Sequence, residues 1–161
     1  MIKVVNKNII LFSVGAAAYM ALEACFRGFT FPLMGVCGGL CIVILDKIND
    51  FISWRVDLAI QALIGSSLIT FMELVIGKIM KYTDLLPMMW DYSDLPLNYD
   101  GIICVPFSVI WLFLGVVAIF LADCINYYIL EDGERPRYIL FGKFVFFFKK
   151  RSGDNDWHNG A

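Results

Sequence analysis

The sequence predicts an all-α fold: a bundle of four membrane-spanning helices with both chain ends on the cytoplasmic side. Three observations carry this. Of 161 residues, 60% are hydrophobic and 17% charged, against roughly half and a quarter in a soluble domain. The mean hydropathy is +0.72, and the apolar residues gather into runs near the ~20 residues that a helix needs to cross a bilayer. Lysine and arginine are dense in alternate connections, which fixes an orientation. The net charge of -2 matters less than that distribution.

The first predicted span covers residues 8–26, behind Lys3 and Lys7. Its basic start and Ala16-Ala17-Ala18 also fit a secretory leader, but further spans follow at once. Leu22-Glu23-Ala24-Cys25 is a poor lipoprotein box, because a glutamate precedes its small residue. The second span, 31–45, is short and starts near Pro32, which predicts a tilted or partly re-entrant helix. The third covers 56–80 and the fourth 103–130, closing a transmembrane domain of residues 1–130.

Lys47 and Arg55 lie between the second and third spans, and Arg135, Arg137, Lys143, Lys149, Lys150 and Arg151 follow the fourth. The opposite side carries Arg27, Lys78 and Lys81. The positive-inside bias therefore puts the segment from Trp90 to Cys104 outside. In the cytoplasmic tail, 131–161, the aromatic run 138–148 is too short to span. With basic groups around it, it is expected to lie at the lipid interface. The end from Ser152 is expected to be disordered.

Four of the five cysteines (Cys25, Cys37, Cys41, Cys104, Cys124) fall in apolar runs and are expected as small buried side chains. Cys37 and Cys41 are one turn apart, but no third ligand is near, and the single histidine, His158, is in the tail. No metal, disulfide framework, cofactor or nucleic-acid partner is expected. The expected surroundings are the lipid bilayer.

Helical spacing orients the spans. Ala62, Ser66, Thr70, Glu73 and Gly77 recur at three or four residues along the third, making one small and polar stripe that should face other helices. Gly35 and Gly39 form a packing pair in the second, and Ser108, Trp111, Gly115 and Ala118 repeat the theme in the fourth. Glu23 and Glu73 are the carboxylates read as lying within spans, both toward the outer half. Arg27, one turn beyond Glu23, can pair with it. Each glutamate has a plain reading, an ion pair or a packing hydrogen bond. The other reading is contact with an ion, proton or substrate, since ionisable groups in membranes mark pathways. Glu73 is the stronger candidate and the expected protonatable or ligand-contacting group.

The segment Trp90-Asp91-Tyr92-Ser93-Asp94-Leu95-Pro96-Leu97-Asn98-Tyr99-Asp100-Gly101-Ile102-Ile103-Cys104 is unusually polar and turn-rich. Its rings suit a headgroup interface, and Asp91, Ser93, Asn98 and Asp100 suit turns and caps. An ordered cap is one reading. Calcium binding lacks EF-hand spacing, hydrolysis lacks a nucleophile, and a gate or substrate contact is the fourth.

These residues resemble the bacterial membrane proteins known as ABC-transporter type IV permeases. The resemblance rests on Glu23; on Thr70, Glu73 and Gly77; on Trp90, Asp91, Tyr92, Ser93, Pro96, Asn98, Gly101, Ile103 and Cys104; and on Ser108 and Trp111. It covers about residues 18–115, with no counterpart for the tail from Glu131. Ile102 stands where the family commonly has a basic residue. The resemblance implies a multi-pass, non-enzymatic, transporter-like subunit of the bacterial cytoplasmic membrane, with its polar site near the outer leaflet. No Gly-x-x-x-x-Gly-Lys-Ser/Thr phosphate loop is present, so ATP-driven transport would need a separate ATPase subunit; a homo-oligomer is the other expected partner. The rivals are a regulatory membrane protein that binds a partner through its helix faces, and a small intramembrane enzyme acting on lipid or cell-wall precursors.

Overall fold

The computed structural model describes residues 2–52 and 56–150. Four long helices dominate it: α1 (Ile2–Arg27), α2 (Pro32–Phe51), α3 (Leu58–Tyr82) and α5 (Val105–Cys124), with α4 (Leu86–Met89) a single turn. Three, over Asn6–Arg27, Leu58–Tyr82 and Val105–Ile129, are long and apolar enough to cross a membrane.

α1 and α2 pack antiparallel through glycine. Without a side chain on Gly39, the helices approach until a Cβ there would lie 2.6 Å from the Phe12 ring and 2.8 Å from the Phe12 carbonyl. A Cβ on Gly35 would lie 2.5 Å from Met20 Sδ, and one on Gly38 3.0 Å from the Gly15 carbonyl.

The second helix is longer than the 31–45 segment predicted from the sequence. α2 continues past Asp46-Lys47 to Phe51. Asp46 is 1% exposed because the bundle, not lipid, surrounds it: Lys7 Nζ lies 3.2 Å away and Asn126 Nδ2 donates at 2.5 Å. An aspartate that looked like a helix end is a buried, paired carboxylate.

α3 begins at Asp57, whose Oδ1 accepts from the Ala59 amide at 2.9 Å and caps the helix. It runs antiparallel to α5, with Ala62 opposite Gly115 and Thr70 opposite Ser108. Pro106 opens α5, where a missing N–H costs least. α5 ends in a π-helical turn, Ile125–Ile129, that buries Tyr127. The α1–α2 and α3–α5 connections meet at one end of the bundle, where Arg27 NH1 donates to the Met89 carbonyl at 2.5 Å. Lys7, Asp46, Asn126 and the tail lie at the other.

The all-α expectation holds as a mostly helical fold with two small antiparallel hairpins. β1 (Asn98–Tyr99) pairs with β2 (Ile103–Cys104), Asn98 opposite Cys104. β3 (Arg137–Leu140) pairs with β4 (Lys143–Phe147) with an irregularity between Tyr138 and Ile139. The second hairpin is the aromatic run read from the sequence as an interfacial segment. Tyr138, 1% exposed, donates from its phenol to Asp123 Oδ2 at 2.6 Å, and Phe148 is also buried. The Gly142 amide at the hairpin turn donates to Asp57 Oδ2 at 2.8 Å. Arg55, Arg151, His158 and the end from Ser152, expected to be disordered, lie outside the described residues.

Candidate functional site

The small and polar stripe of α3 faces α5 and the loop. Ser66 donates to the Ser108 carbonyl at 2.8 Å, and Thr70 to the Ser108 hydroxyl at 3.2 Å. Ser108 in turn donates to the Cys104 carbonyl at 3.1 Å. Gly115 packs on the Ala62 carbonyl, where an added Cβ would sit 3.9 Å away, and Gly77 leaves the space that Ile102 of the loop fills.

Glu73 occupies the same stripe. Its Oε1 accepts from the Tyr92 phenol at 3.0 Å and its Oε2 from the Trp111 indole at 2.8 Å. One carboxylate thus ties α3 to the 90–104 loop and to α5. Tyr92 stacks on Phe107, ring centroids 4.5 Å apart. Burial, then the adjacent Glu73 carboxylate, push the Tyr92 phenol up, so it stays a proton donor.

Glu23 makes a separate cluster. Arg27 NH2 lies 2.7 Å from its Oε1, and Thr30 donates to its Oε2 at 2.5 Å. The clusters share an end of the bundle through the Arg27–Met89 contact, yet no hydrogen bond or ion pair between Glu23 and Glu73 is present among the described residues.

The other loop residues brace the loop itself. Asp91 Oδ1 accepts from the Ser93 amide at 2.9 Å and hydroxyl at 2.6 Å, and these bonds, the hydroxyl first, hold the Asp91 carboxyl below its usual range. Asn98 Nδ2 donates to the Leu95 carbonyl at 2.7 Å and the Ser93 carbonyl at 3.2 Å. Asn98 Oδ1 accepts from the Gly101 amide at 3.1 Å. Gly101 has φ +70° and sits where an added Cβ would be 2.5 Å from Ser93 Oγ, so glycine is required twice over. Asp100 is fastened to Lys78 at 2.7 Å and to Lys81. Lys78 first, then Lys81, hold its carboxyl down at about 2.

Glu73 also lines a cavity of about 170 Å³ between the α1–α2 and α3–α5 pairs. Tyr19, Trp90 and Trp111 line it with Glu73, and the remaining wall is almost wholly apolar, from Gly15 on α1 to Leu121 on α5. The spacing of α3 made Glu73 visible, but Tyr19 gave no signal beyond being one aromatic in an apolar run. Asp46 and Asp123 are also buried within helices and were not among the carboxylates read as lying in spans. Asp46 lies one residue past the predicted second span, where charge marks a boundary, whereas Asp123 lies inside the predicted fourth span and went unread. All five cysteines are free, and no group of three or more His, Cys, Asp or Glu placed to hold a metal occurs among the described residues.

Long apolar helices packed around a carboxylate define a helical membrane protein. More narrowly, the chain belongs to the family described as Putative ABC-transporter type IV, which it matches over residues 7–148. The match extends past both ends of the segment that carried the resemblance in sequence and takes in both hairpins. Comparisons with curated proteins and with solved structures find no match.

Proposed function

We propose that this chain is the membrane subunit of a bacterial transport system, without enzymatic activity of its own, that contacts its cargo at Glu73. Four helices cross the cytoplasmic membrane, α2 among them, with both termini inside and the 90–104 loop outside. The observation that carries this reading is the Glu73 carboxylate itself, held by Tyr92 and Trp111 in the wall of an apolar cavity. A charge there is costly unless it is used.

The loop is the outer cap, and Tyr92 is its one hydroxyl-bearing contact with the carboxylate. Movement of the loop would break the Tyr92–Glu73 bond and uncover one oxygen for cargo. The family description supports transport, and with no phosphate loop in this sequence, ATP hydrolysis is taken to be the work of a separate subunit.

Purification from the native membrane in mild detergent, followed by liposome reconstitution, tests this. ATP hydrolysis should depend on an associated subunit bearing a phosphate loop, and Glu73→Ala should lower it. A chain that purifies without such a subunit would remove the transport reading.

A further inference from the structure

The cavity beside Glu73 has a shape and a chemistry that select a class of ligand. Its α5 wall runs from Trp111 to Leu121, ten residues or about 15 Å of helix. The volume is only about 170 Å³. So small a volume beside a wall of that length suits one alkyl chain better than a two-chain lipid. The wall is apolar along nearly all of that length. Of its residues, Ala18 and Leu22 on α1 and Val117 on α5 are also exposed on the flank of the bundle, Leu22 by 48% and Val117 by 60%. They mark a mouth on the side that would face the hydrocarbon.

One end differs from the rest. Glu73 stands there with the rings of Tyr19, Trp90 and Trp111, Tyr19 and Trp111 having centroids 6.1 Å apart at 37°. Tyr92 and Trp111 donate neutral hydrogen bonds to Glu73 and bring no positive charge. The cations at this end are engaged elsewhere, Arg27 with Glu23 and Met89, Lys78 and Lys81 with Asp100. Aromatic rings lining a cavity beside a carboxylate are a setting that recognises an alkylated ammonium, through ring quadrupoles and charge together.

We propose that the slot binds a single-chain hydrophobic cation, entering sideways from the membrane, with its chain along α5 and its ammonium head among Tyr19, Trp90, Trp111 and Glu73. This rests on Glu73 being the cargo contact and names the cargo class.

Octyltrimethylammonium is a suitable probe, with octanol and octyl sulfonate as chain-matched controls, on the full chain in a neutral maltoside detergent. With Trp54→Phe and Trp157→Phe as background, Trp90 and Trp111 report on the slot. The cation should change their fluorescence saturably, and octanol and octyl sulfonate should not. Glu73→Gln should weaken the response by roughly tenfold or more, as loss of a charge-assisted contact does. Ala18→Phe, placed at the exposed mouth, should abolish it. Equal responses to cation and alcohol would overturn the proposal, as would an unchanged response in both variants with helicity retained. If both variants misfold, the cation-against-alcohol comparison on the unsubstituted slot decides. Spontaneous cross-linking of Ala18→Cys between copies would show a second chain covering the mouth, and would equally overturn it. Saturable binding without an ATPase subunit would leave this inference standing and remove the transport reading; a coupled ATPase without saturable binding would do the reverse.

Discussion

Glu73 depends on two neutral donors, so each can be tested singly. Trp111→Phe keeps the ring but removes the indole N–H from Oε2, and should cost about 1–3 kcal/mol for an unsatisfied buried acceptor. Chemical unfolding in mixed micelles would measure it. Asp100 gives a pH dependence whose sign follows from its lowered folded-state value of about 2. A carboxyl lowered on folding stabilises above its unfolded value of about 4, and loses that contribution as pH falls through the folded value. The loop should therefore become more susceptible to protease between pH ~4 and ~2, and Asp100→Asn should remove that dependence. Pepsin digestion over that range, with Asp100→Asn alongside, checks both. Much of this chemistry was legible. Spacing of three and four residues picked out Ser66, Thr70, Glu73 and Gly77, and an i,i+4 interval picked out Glu23 with Arg27. Tyr19 was not legible, because a ring in an apolar helix carries no sign of which cavity it lines.

At the scale of elements, glycine sets how closely helices pack. Gly39→Val would press a side chain against both the ring and the carbonyl of Phe12. The carbonyl belongs to a helix backbone and has little room to yield. Overpacking of this kind costs about 1–3 kcal/mol, while Gly115→Ala, with 3.9 Å of clearance, should be neutral or slightly stabilising. Thermal unfolding of the two variants side by side gives the comparison. The Gly35 and Gly39 pattern was visible in the sequence, whereas Gly15 and Gly38 sit outside the four-residue interval that announces such contacts. The length of α2 was hidden for a different reason. Asp46 and Lys47 look like an exit from the membrane until Lys7 and Asn126, from distant parts of the chain, are brought beside them. The aromatic tail was ambiguous in the same way, since alternating rings and charges fit a lipid surface as well as a hairpin lodged on helix ends.

For the whole molecule, the arrangement has two ends with distinct contents: the loop and both glutamate clusters at one, Asp46 and the tail hairpin at the other. Leu97 and Phe141 are exposed at opposite ends and offer handles. With the five native cysteines replaced, a membrane-impermeant maleimide should label Leu97→Cys on intact cells and Phe141→Cys only after lysis. The reverse pattern would invert the proposed orientation, and equal labelling on intact cells would contradict a single crossing by α5 between the two sites. Asp57 adds a matter of timing. Its two oxygens serve partners separated widely along the chain: the Ala59 amide two residues away and the Gly142 amide 85 residues away. As the polypeptide is made, the near bond can form as soon as α3 exists, while the far one must wait for almost everything else. Asp57 is thus a clasp that begins α3 early and is shut from outside only when the hairpin around Gly142 arrives.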